Sequence, residues 1–463
     1  MPTVIGIIFL AASVFCFFLG DDELFALLIF SSIFQSSSVI ALKDAGVTPY
    51  YLVGAVFVLQ GIYRYARGGK ERAKQASFKG KWWMVAFGVI AIVSAFTLPF
   101  VFAGIPVYEQ HIGIDDGFFL RPPLQFRNAN ISHSVSLLLG VLIVLGAAKR
   151  VRNGVLTGRA YLFTFYVLAG VITVQFLCLL LGIEFPYALL QNNAGGSMQM
   201  VDTRDFASRF PGTFTESSAA GQVLVCFTAG FLAERLKVGR SLIPVGVGLA
   251  AIMLVRSSTA IVAIAVVIGL LCLWHPIFRF PFYINLVRLR RVALLLVLGA
   301  LVLALAIFSP LRDSLIMVTL QKQESGSFVN RLASDAYALN LFVMTKGIGV
   351  GMGSNRPSSL ITSLLSTVGW VGLIVFLLAY FKLLSNVARN RPDLLWAGLS
   401  LFLCIAIAGP DYDTPWIWVF LAFAVQMGSI RNQGIGAIRQ NARSFPRERT
   451  KYALETSQSA AIP

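Results

Sequence analysis

The chain has 463 residues, of which 57% are hydrophobic and only 13% are charged. Soluble domains carry roughly 25% charged residues, so this composition excludes an ordinary soluble globular protein. The formal net charge of +17 is compatible with nucleic-acid binding, but the basic residues fall in short loops between apolar runs. That distribution is typical of membrane orientation signals, so no nucleic-acid partner is expected.

Apolar runs of about 17 to 23 residues recur along the chain, each long enough to cross a bilayer as a helix. They are continuously apolar rather than alternating, which argues against a transmembrane barrel. We therefore expect an all-α, polytopic integral membrane protein with about thirteen transmembrane helices, or twelve if the first two short runs are re-entrant. The predicted spans are 3–19, 24–42, 47–63, 82–104, 131–148, 160–182, 219–236, 241–255, 259–277, 292–310, 361–381, 394–409 and 415–428.

Lysines and arginines set the expected orientation. Following the chain through the predicted spans places the most basic segments on one face, which the positive-inside rule makes cytoplasmic. The C-terminal tail belongs to this face. The basic segments are 64–81, 149–154, 279–291, 382–391 and 431–451.

Three longer segments, 105–130, 183–218 and 311–360, then fall on the opposite, outer face. None contains an apolar run able to form a large core of its own, so we expect them to cap a membrane-embedded cavity. The turn within "VRSSTA" (255–260) also reaches this face and places Arg256 at the outer end of two helices. A charge at membrane depth is costly and marks a candidate functional site.

The second outer segment leads into a predicted helix through "RDFASRFPGTFTESSAAG" (204–221). We expect Ser217 or Ser218 to cap that helix, because hydroxyls satisfy exposed N–H groups at helix starts. Glu216 then lies beside the positive end of the helix dipole, which keeps a carboxylate ionised. The alternative is a plain helix start with an acidic residue in its first turn.

The third outer segment combines charge with a glycine-rich turn. Arg331 and Asp335 are four residues apart, so on a helix they would share one face. "GIGVGMGSNRPSS" (347–359) is expected to present backbone N–H groups beside Arg356 and Ser358, an arrangement that suits phosphate. The alternative is a flexible connector, since the glycine spacing matches neither a phosphate loop nor a dinucleotide-binding motif.

Four arginines, Arg209, Arg256, Arg331 and Arg356, map to the outer face. For each alone, an ion pair or contact with lipid phosphate is a sufficient explanation. Together they indicate an anionic ligand, because a planar guanidinium donates to two oxygens at once. A lipid diphosphate fits best, since its tail can enter between helices from the bilayer.

The outer face has two weaker candidates. His133 begins a predicted helix there, where a structural role and a functional role are both open. Asp411 and Asp413 lie in the short turn "GPDYDTPW" (409–416), which we interpret as a solvated turn rather than a cation or sugar site. No acidic pair is placed for a nucleotide-sugar metal site, so neither a metal nor a cofactor is expected.

Five motifs follow one another in the second half of the chain: "PGTFTESS" (211–218), "VRSSTA" (255–260), "SGSFVNR" (325–331), "GIGVGMGSNRPSS" (347–359) and "VGWVG" (368–372). This series resembles the O-antigen ligase and Wzy-type polysaccharide polymerase superfamily. The resemblance covers roughly residues 204 to 428, and the early helices match only in being hydrophobic.

The resemblance implies metal-independent glycosyl transfer at the periplasmic face of the bacterial inner membrane, with undecaprenyl-diphosphate-linked glycans as donor and acceptor. It matches Arg256 to the diphosphate-binding arginine of the helix junction and Arg331 to the arginine of the large outer loop. Arg209 and Arg356 are expected to help grip the diphosphate. A chain-length regulator and a flippase are implied partners. The expected substrate contacts are Ser257, Ser258, Asp335, Ser358 and His133.

One departure favours the polymerase branch. The ligases carry a histidine after the glycine-rich turn, whereas this chain reads "NRPSS" there and has no histidine between 276 and 463. Glu216 is then expected to be the general base that takes the acceptor's proton. A ligase is the alternative within the superfamily, and a flippase for lipid-linked sugars is the alternative from another class.

The predicted organisation has four parts. Residues 1–63 form N-terminal membrane helices, and 64–203 form membrane helices with basic cytoplasmic loops and the first outer loops. Residues 204–428 form the catalytic membrane region, which includes the outer loop 311–360. Residues 429–463 form a basic cytoplasmic tail.

Overall fold

A computed structural model of the chain describes residues 2–41, 46–67, 78–108, 121–193, 209–238, 241–274, 326–388 and 391–444. These residues are helical almost throughout, with one short antiparallel strand pair, β1 (Ile40–Ala41) and β2 (Gly46–Val47). The helices are α1 (Val4–Leu19), α2 (Asp21–Ser31), α3 (Pro49–Ala66), α4 (Lys81–Val101), α5 (Asn128–Arg150), α6 (Gly154–Leu181), α7 (Tyr187–Leu190), α8 (Ser217–Val238), α9 (Ile243–Val255), α10 (Ser258–Trp274), α11 (Gly326–Met344), α12 (Leu360–Leu384), α13 (Pro392–Ala408) and α14 (Pro415–Ser444).

Five of the described helices, α4, α5, α6, α8 and α12, are long and apolar enough to cross a membrane. Shorter apolar helices are α1, α9, α10, α13 and the first half of α14. Large apolar side chains such as Phe15, Phe18 and Phe100 remain exposed, as expected for surfaces that contact lipid. This architecture is typical of an all-α membrane protein. The predicted span 292–310 lies outside the described residues.

The predicted span 24–42 is wrong in its second half. α2 covers only the first half, and the chain then continues through turns to β1. The intervening serines bond to distant segments: the Ser36 hydroxyl donates to the Thr213 carbonyl at 2.8 Å, and that of Ser37 to the Leu190 carbonyl at 2.6 Å. Such hydroxyl bonds compete with the helical ladder, so the apolar residues between the serines do not extend the helix.

The helices share one hydrophobic core, which runs from Ile5 in α1 to Val425 in α14. The closest helix pairs are α8 with α13, α5 with α14 and α4 with α12. Such close packing needs small residues at the contacts: a side chain at Gly140 of α5 would collide with the ring of Trp418 in α14. Helices from all three predicted membrane regions therefore contribute to the same core.

Packing of the helices gives the bundle two ends of different character. What we call the basic end is where α3 and α5 finish and α13 begins; its cations include Arg64, Lys79, Arg150, Lys382 and Arg391. What we call the site end is where α5, α8, α12 and α14 begin; its ionisable residues include His133, Glu216, Arg256, Arg356 and Asp413.

The site end is covered by a small satellite core of Val107, Leu124, Leu341 and Val350. α11 is held over the bundle because the Tyr337 hydroxyl donates to the Pro106 carbonyl at 2.7 Å. The guanidinium of Arg121 stacks 3.9 Å from the centre of the Tyr337 ring. The described parts of segments 105–130 and 311–360 therefore join over these helix ends.

Candidate functional site

α8 begins at Ser217, with Glu216 directly before it. The prediction that one of the two serines caps the helix through its hydroxyl is wrong. The Ser218 hydroxyl donates instead to Glu216 Oε2 at 2.9 Å, and the buried Ser217 hydroxyl has no hydrogen-bond partner among the described residues. Half-buried Glu216 thus places a negative charge at the positive end of the helix dipole.

Arg256 joins α9 to α10 and is only 1% exposed. Its backbone is left-handed, with φ 52°, a conformation that non-glycine residues seldom adopt outside turns and functional sites. Its guanidinium carbon lies 5.6 Å from the centre of the Phe210 ring, a cation–π contact. Ser257 follows and accepts a hydrogen bond from the Ala260 N–H at 3.4 Å, so its hydroxyl caps α10.

α8 packs directly on this junction. A β-carbon at Gly221 would lie 3.1 Å from the β-carbon of Ser257, so glycine is what allows the approach. Since Gly221 is in the second turn of α8, Glu216 and Arg256 lie in neighbouring parts of the site end. Ser258, the first residue of α10, is half-buried at the same place.

The glycine-rich turn does not present its N–H groups to a ligand as expected. Four of its glycines have positive φ, and the segment folds tightly against α4, the start of α5 and the first half of α12. The Gly349 N–H donates to Thr345 Oγ1 at 3.0 Å, and the N–H groups of Val350, Gly351 and Met352 also donate to protein acceptors. The phosphate-binding nest predicted here is therefore wrong, because internal bonding makes the turn a scaffold.

Asp335 ties α11 to the start of α12. Its carboxylate accepts hydrogen bonds from the Ser358 N–H at 2.8 Å and the Ser358 hydroxyl at 2.7 Å. It also accepts from the Ser359 N–H at 3.2 Å and the Thr362 hydroxyl at 2.7 Å. Asp335 and Ser358 thus position the third outer segment, and a substrate contact by either would have to displace these bonds. Arg331 lies one turn earlier on α11.

Arg356 and Asp411 form a two-pronged ion pair. Arg356 donates from Nε to Asp411 Oδ1 at 3.1 Å and from Nη2 to Oδ2 at 2.7 Å. The charge of Asp411 is the main reason why the pKa of Arg356 lies above its ordinary value, and Glu216 and Asp413 add to the effect. Burial acts to raise the pKa of Asp411, but the charge and hydrogen bonds of Arg356 hold it below its ordinary value. Arg356 is therefore already neutralised.

His133 and Asp413 form a second pair, with His133 Nδ1 3.0 Å from Asp413 Oδ2. Asp413 is only 6% exposed. The backbone carbonyl of Asp413 accepts a hydrogen bond from the Ser136 hydroxyl at 3.1 Å. The Ser136 hydroxyl in turn lies 2.9 Å from the Tyr51 hydroxyl. The interpretation of 409–416 as a solvated turn is therefore wrong, because the turn closes onto α5 and the glycine-rich segment.

A cavity of about 490 Å³ lies between these two pairs, within the range of about 300 to 1,000 Å³ that small-molecule sites occupy. Its walls come from the start of α5, the glycine-rich segment, α12 and the turn before α14. Side chains with amide or hydroxyl groups line the cavity: Tyr108, Gln125, Ser132, Asn355, Ser363 and Thr367. Such groups suit a ligand rich in hydroxyls.

Arg209 lies close enough to Arg331 and Glu216 to be influenced by both. Arg209 is exposed, yet partial desolvation lowers the pKa of its guanidinium, and the like charge of Arg331 acts in the same direction while Glu216 opposes it. Glu216 also raises the pKa of Arg356. Arg256 contacts the ring of Phe210, the residue directly after Arg209. All four predicted arginines and Glu216 therefore lie at the site end.

Sequence reasoning missed the importance of Asp411 and Asp413. The usable signal is that two carboxylates in a short turn between apolar helices need cationic partners once they are buried. For His133 the sequence gives no partner, because Asp413 lies 280 residues away along the chain.

Comparison with protein-family models finds no match for this chain, and no curated protein matches it significantly. Functional interpretation therefore depends on the chemistry of the site end.

Proposed function

We propose that the protein is a metal-independent glycosyltransferase that polymerises undecaprenyl-diphosphate-linked oligosaccharide repeat units at the periplasmic face of the bacterial inner membrane. The product is a polysaccharide of the O-antigen, capsular or exopolysaccharide type. The observation that carries the proposal is that Arg209, Arg256, Arg331 and Glu216 lie at the same end of an apolar helix bundle.

In this proposal Arg256 and Arg331 hold the diphosphate, and Arg209 assists from the exposed rim. Guanidinium groups on the leaving diphosphate stabilise the charge that develops in the transition state. Burial and the left-handed turn fix Arg256 in place, which supports a preorganised contact. Arg356 has a smaller part than the sequence indicates, since Asp411 already occupies it.

The reaction transfers the growing glycan from its lipid diphosphate to a hydroxyl of a second lipid-linked repeat unit. The sequence assigns removal of the hydroxyl proton to Glu216. That carboxylate is half-buried and accepts a hydrogen bond from Ser218, so it is held in one position at the start of α8.

A ligase that joins the glycan to a lipid or protein acceptor is the second candidate. One observation favours it: a histidine does line the cavity beside the glycine-rich segment, although it comes from α5. A flippase is expected to place charged residues along a path through the membrane, whereas the ion pairs found among the described residues lie at the two ends of the bundle.

The deciding experiment is deletion of the gene, followed by measurement of polymer length and of the undecaprenyl-linked pool. We expect single repeat units to accumulate at the outer face, with no long chains. Long chains stranded on undecaprenyl diphosphate would instead indicate a ligase, and repeat units trapped at the inner face a flippase. If neither polymer nor pool changed, all three functions would be rejected.

A further inference from the structure

The cavity at the site end contains a proton acceptor other than Glu216. The side chain of His133 is 31% exposed and lines the cavity. Glu216, by contrast, is not one of the described residues that line it. A group that takes a proton from a bound hydroxyl must be within hydrogen-bonding distance of it, so position favours the histidine.

The pairing with Asp413 orients the ring. Because Asp413 engages Nδ1 at 3.0 Å, a neutral His133 carries its hydrogen on Nδ1 and its lone pair on Nε2. Asp413 is itself fixed by burial and by the Ser136 hydroxyl on its carbonyl. A carboxylate that fixes the tautomer of a histidine is the usual way to prepare a general base.

The cavity is also lined by Arg127, Arg356 and Asp411. Arg356 and Asp411 form a two-pronged pair at 3.1 and 2.7 Å, so their charges cancel, whereas Arg127 adds one positive charge. A compensated pair suits a neutral ligand with many hydroxyls better than a diphosphate. The anionic part of the donor is then left to Arg256, Arg331 and Arg209, outside this cavity.

We infer that the cavity binds the acceptor saccharide and that His133, positioned by Asp413, takes the proton from its attacking hydroxyl. The inference rests on the proposed function. The hydroxyl oxygen forms a bond to the anomeric carbon of the donor. The bond from that carbon to the diphosphate oxygen breaks, and its electron pair leaves with the diphosphate. The hydroxyl proton moves to His133 Nε2 and then to solvent.

The test uses the purified full-length protein in vesicles of phosphatidylethanolamine and phosphatidylglycerol, with the lipid-linked saccharide extracted from the deletion strain as substrate. We expect His133→Ala to slow transfer at least 100-fold, roughly the contribution of a general base. The donor KM should change less than threefold, because the diphosphate contacts remain. Free imidazole should restore the rate of this variant at least tenfold, an effect that a purely structural histidine would not show.

Two further variants separate the roles. Asp413→Asn should slow transfer about 10- to 100-fold, because the ring loses its orientation but remains a base. Glu216→Gln should slow it less than tenfold and should not respond to imidazole. Val135→Ala, on an exposed face of the same helix, is the matched control and should transfer at the wild-type rate.

Two results would overturn the inference: a His133→Ala rate within threefold of wild type, or a slow His133→Ala variant that imidazole does not restore. Either leaves the proposed function intact, because the wild-type protein still lengthens the glycan. If the wild-type protein itself lengthens no glycan, the proposed function fails, and the inference fails with it.

Discussion

The two ends of the bundle use charge in different ways. At the basic end, Arg391 pairs with Asp393 only two residues away. One pair there, Arg150 with Asp21, also joins distant helices. At the site end, His133 reaches across 280 residues to Asp413. The pairs at the site end therefore depend on the complete tertiary fold, whereas a local pair needs little more than the start of one helix.

The two ends are therefore expected to have different roles: charges at the basic end orient the chain in the membrane, and charges at the site end take part in the reaction. Cations at helix ends give a membrane protein its direction in the bilayer, and no single one of them has to be placed accurately. Ion pairs between distant segments form only when the fold brings both partners into position, as it does for His133 with Asp413 and Arg356 with Asp411. We therefore expect substitutions at the site end to change transfer, and those at the basic end to leave it unchanged.

The largest expected effect is that of Arg256. Arg256→Ala should reduce polymer synthesis at least 100-fold, because one buried donor to the leaving diphosphate is lost. Arg256→Lys should also be impaired, since an ammonium cannot grip two oxygens in a plane. Polymer length on gels, corrected for the amount of inserted protein, is the measurement. Full-length polymer from the alanine variant would remove Arg256 from the site.

A smaller effect is expected at Asp335, which positions α11 but touches no substrate in our proposal. Asp335→Ala removes an acceptor of four hydrogen bonds and should lower the free energy of unfolding by about 2 kcal/mol. Transfer should fall about tenfold as α11 and Arg331 lose their position. Unfolding in detergent and the transfer assay measure both effects. Asn340→Ala, at an exposed position on α11, is the control and should change stability by less than about 0.5 kcal/mol.

The sequence predicts the helical class well because continuous apolar runs have a single solution in a bilayer. The spacing of Arg331 and Asp335 would place them on one face of a helix, and α11 includes both, although the sequence does not itself predict that helix. The predicted helix over 24–42 is wrong in its second half, because the apolar residues there are interrupted by serines whose hydroxyls bond to other segments. Periodicity and composition describe one segment at a time, so they do not show where a hydroxyl will find its partner.

The sequence likewise predicts one part of the candidate site and not the other. Residue type and predicted topology bring Arg209, Arg256 and Glu216 to one end of the bundle. They do not show that Arg356 is already paired with Asp411, nor that the N–H groups of the glycine-rich turn bond within the protein. Those facts depend on which loop closes over which helix, a property of packing between residues far apart in the sequence.

A pH-dependent effect follows from the ion pair of Arg356 and Asp411. The pKa of Asp411 is held below its ordinary value of 3.8, so the carboxylate stabilises the fold above that value, where it is ionised. The contribution is lost as the pH falls through the lowered pKa. Thermal unfolding of the wild type should therefore shift to lower temperature below about pH 4, and Asp411→Asn should lack that part of the shift.

The stability of Asp411→Asn at neutral pH is a second test of the ion pair. Asp411→Asn should be less stable than wild type at pH 7, because the charge-assisted part of the pair is missing. The two proteins should approach each other in stability as the pH is lowered. Curves that stay parallel from pH 7 to pH 3 would show that the pair adds no pH-dependent stability.

The smallest effect is expected at Arg64, which shares the Asp21 carboxylate with Arg150 at the basic end. The side chain of Arg64 is 46% exposed, whereas Arg150 is 16% exposed, also donates to the Phe57 carbonyl at 2.8 Å and stacks on the Phe57 ring. Arg64→Ala should therefore cost less than about 0.5 kcal/mol, and Arg150→Ala about 1 to 2 kcal/mol. Neither should change transfer more than twofold, since both lie at the opposite end from the arginines around Glu216. A tenfold loss of transfer in Arg64→Ala, with normal insertion, would mean that the two ends are coupled and that charge at the basic end does more than orient the chain.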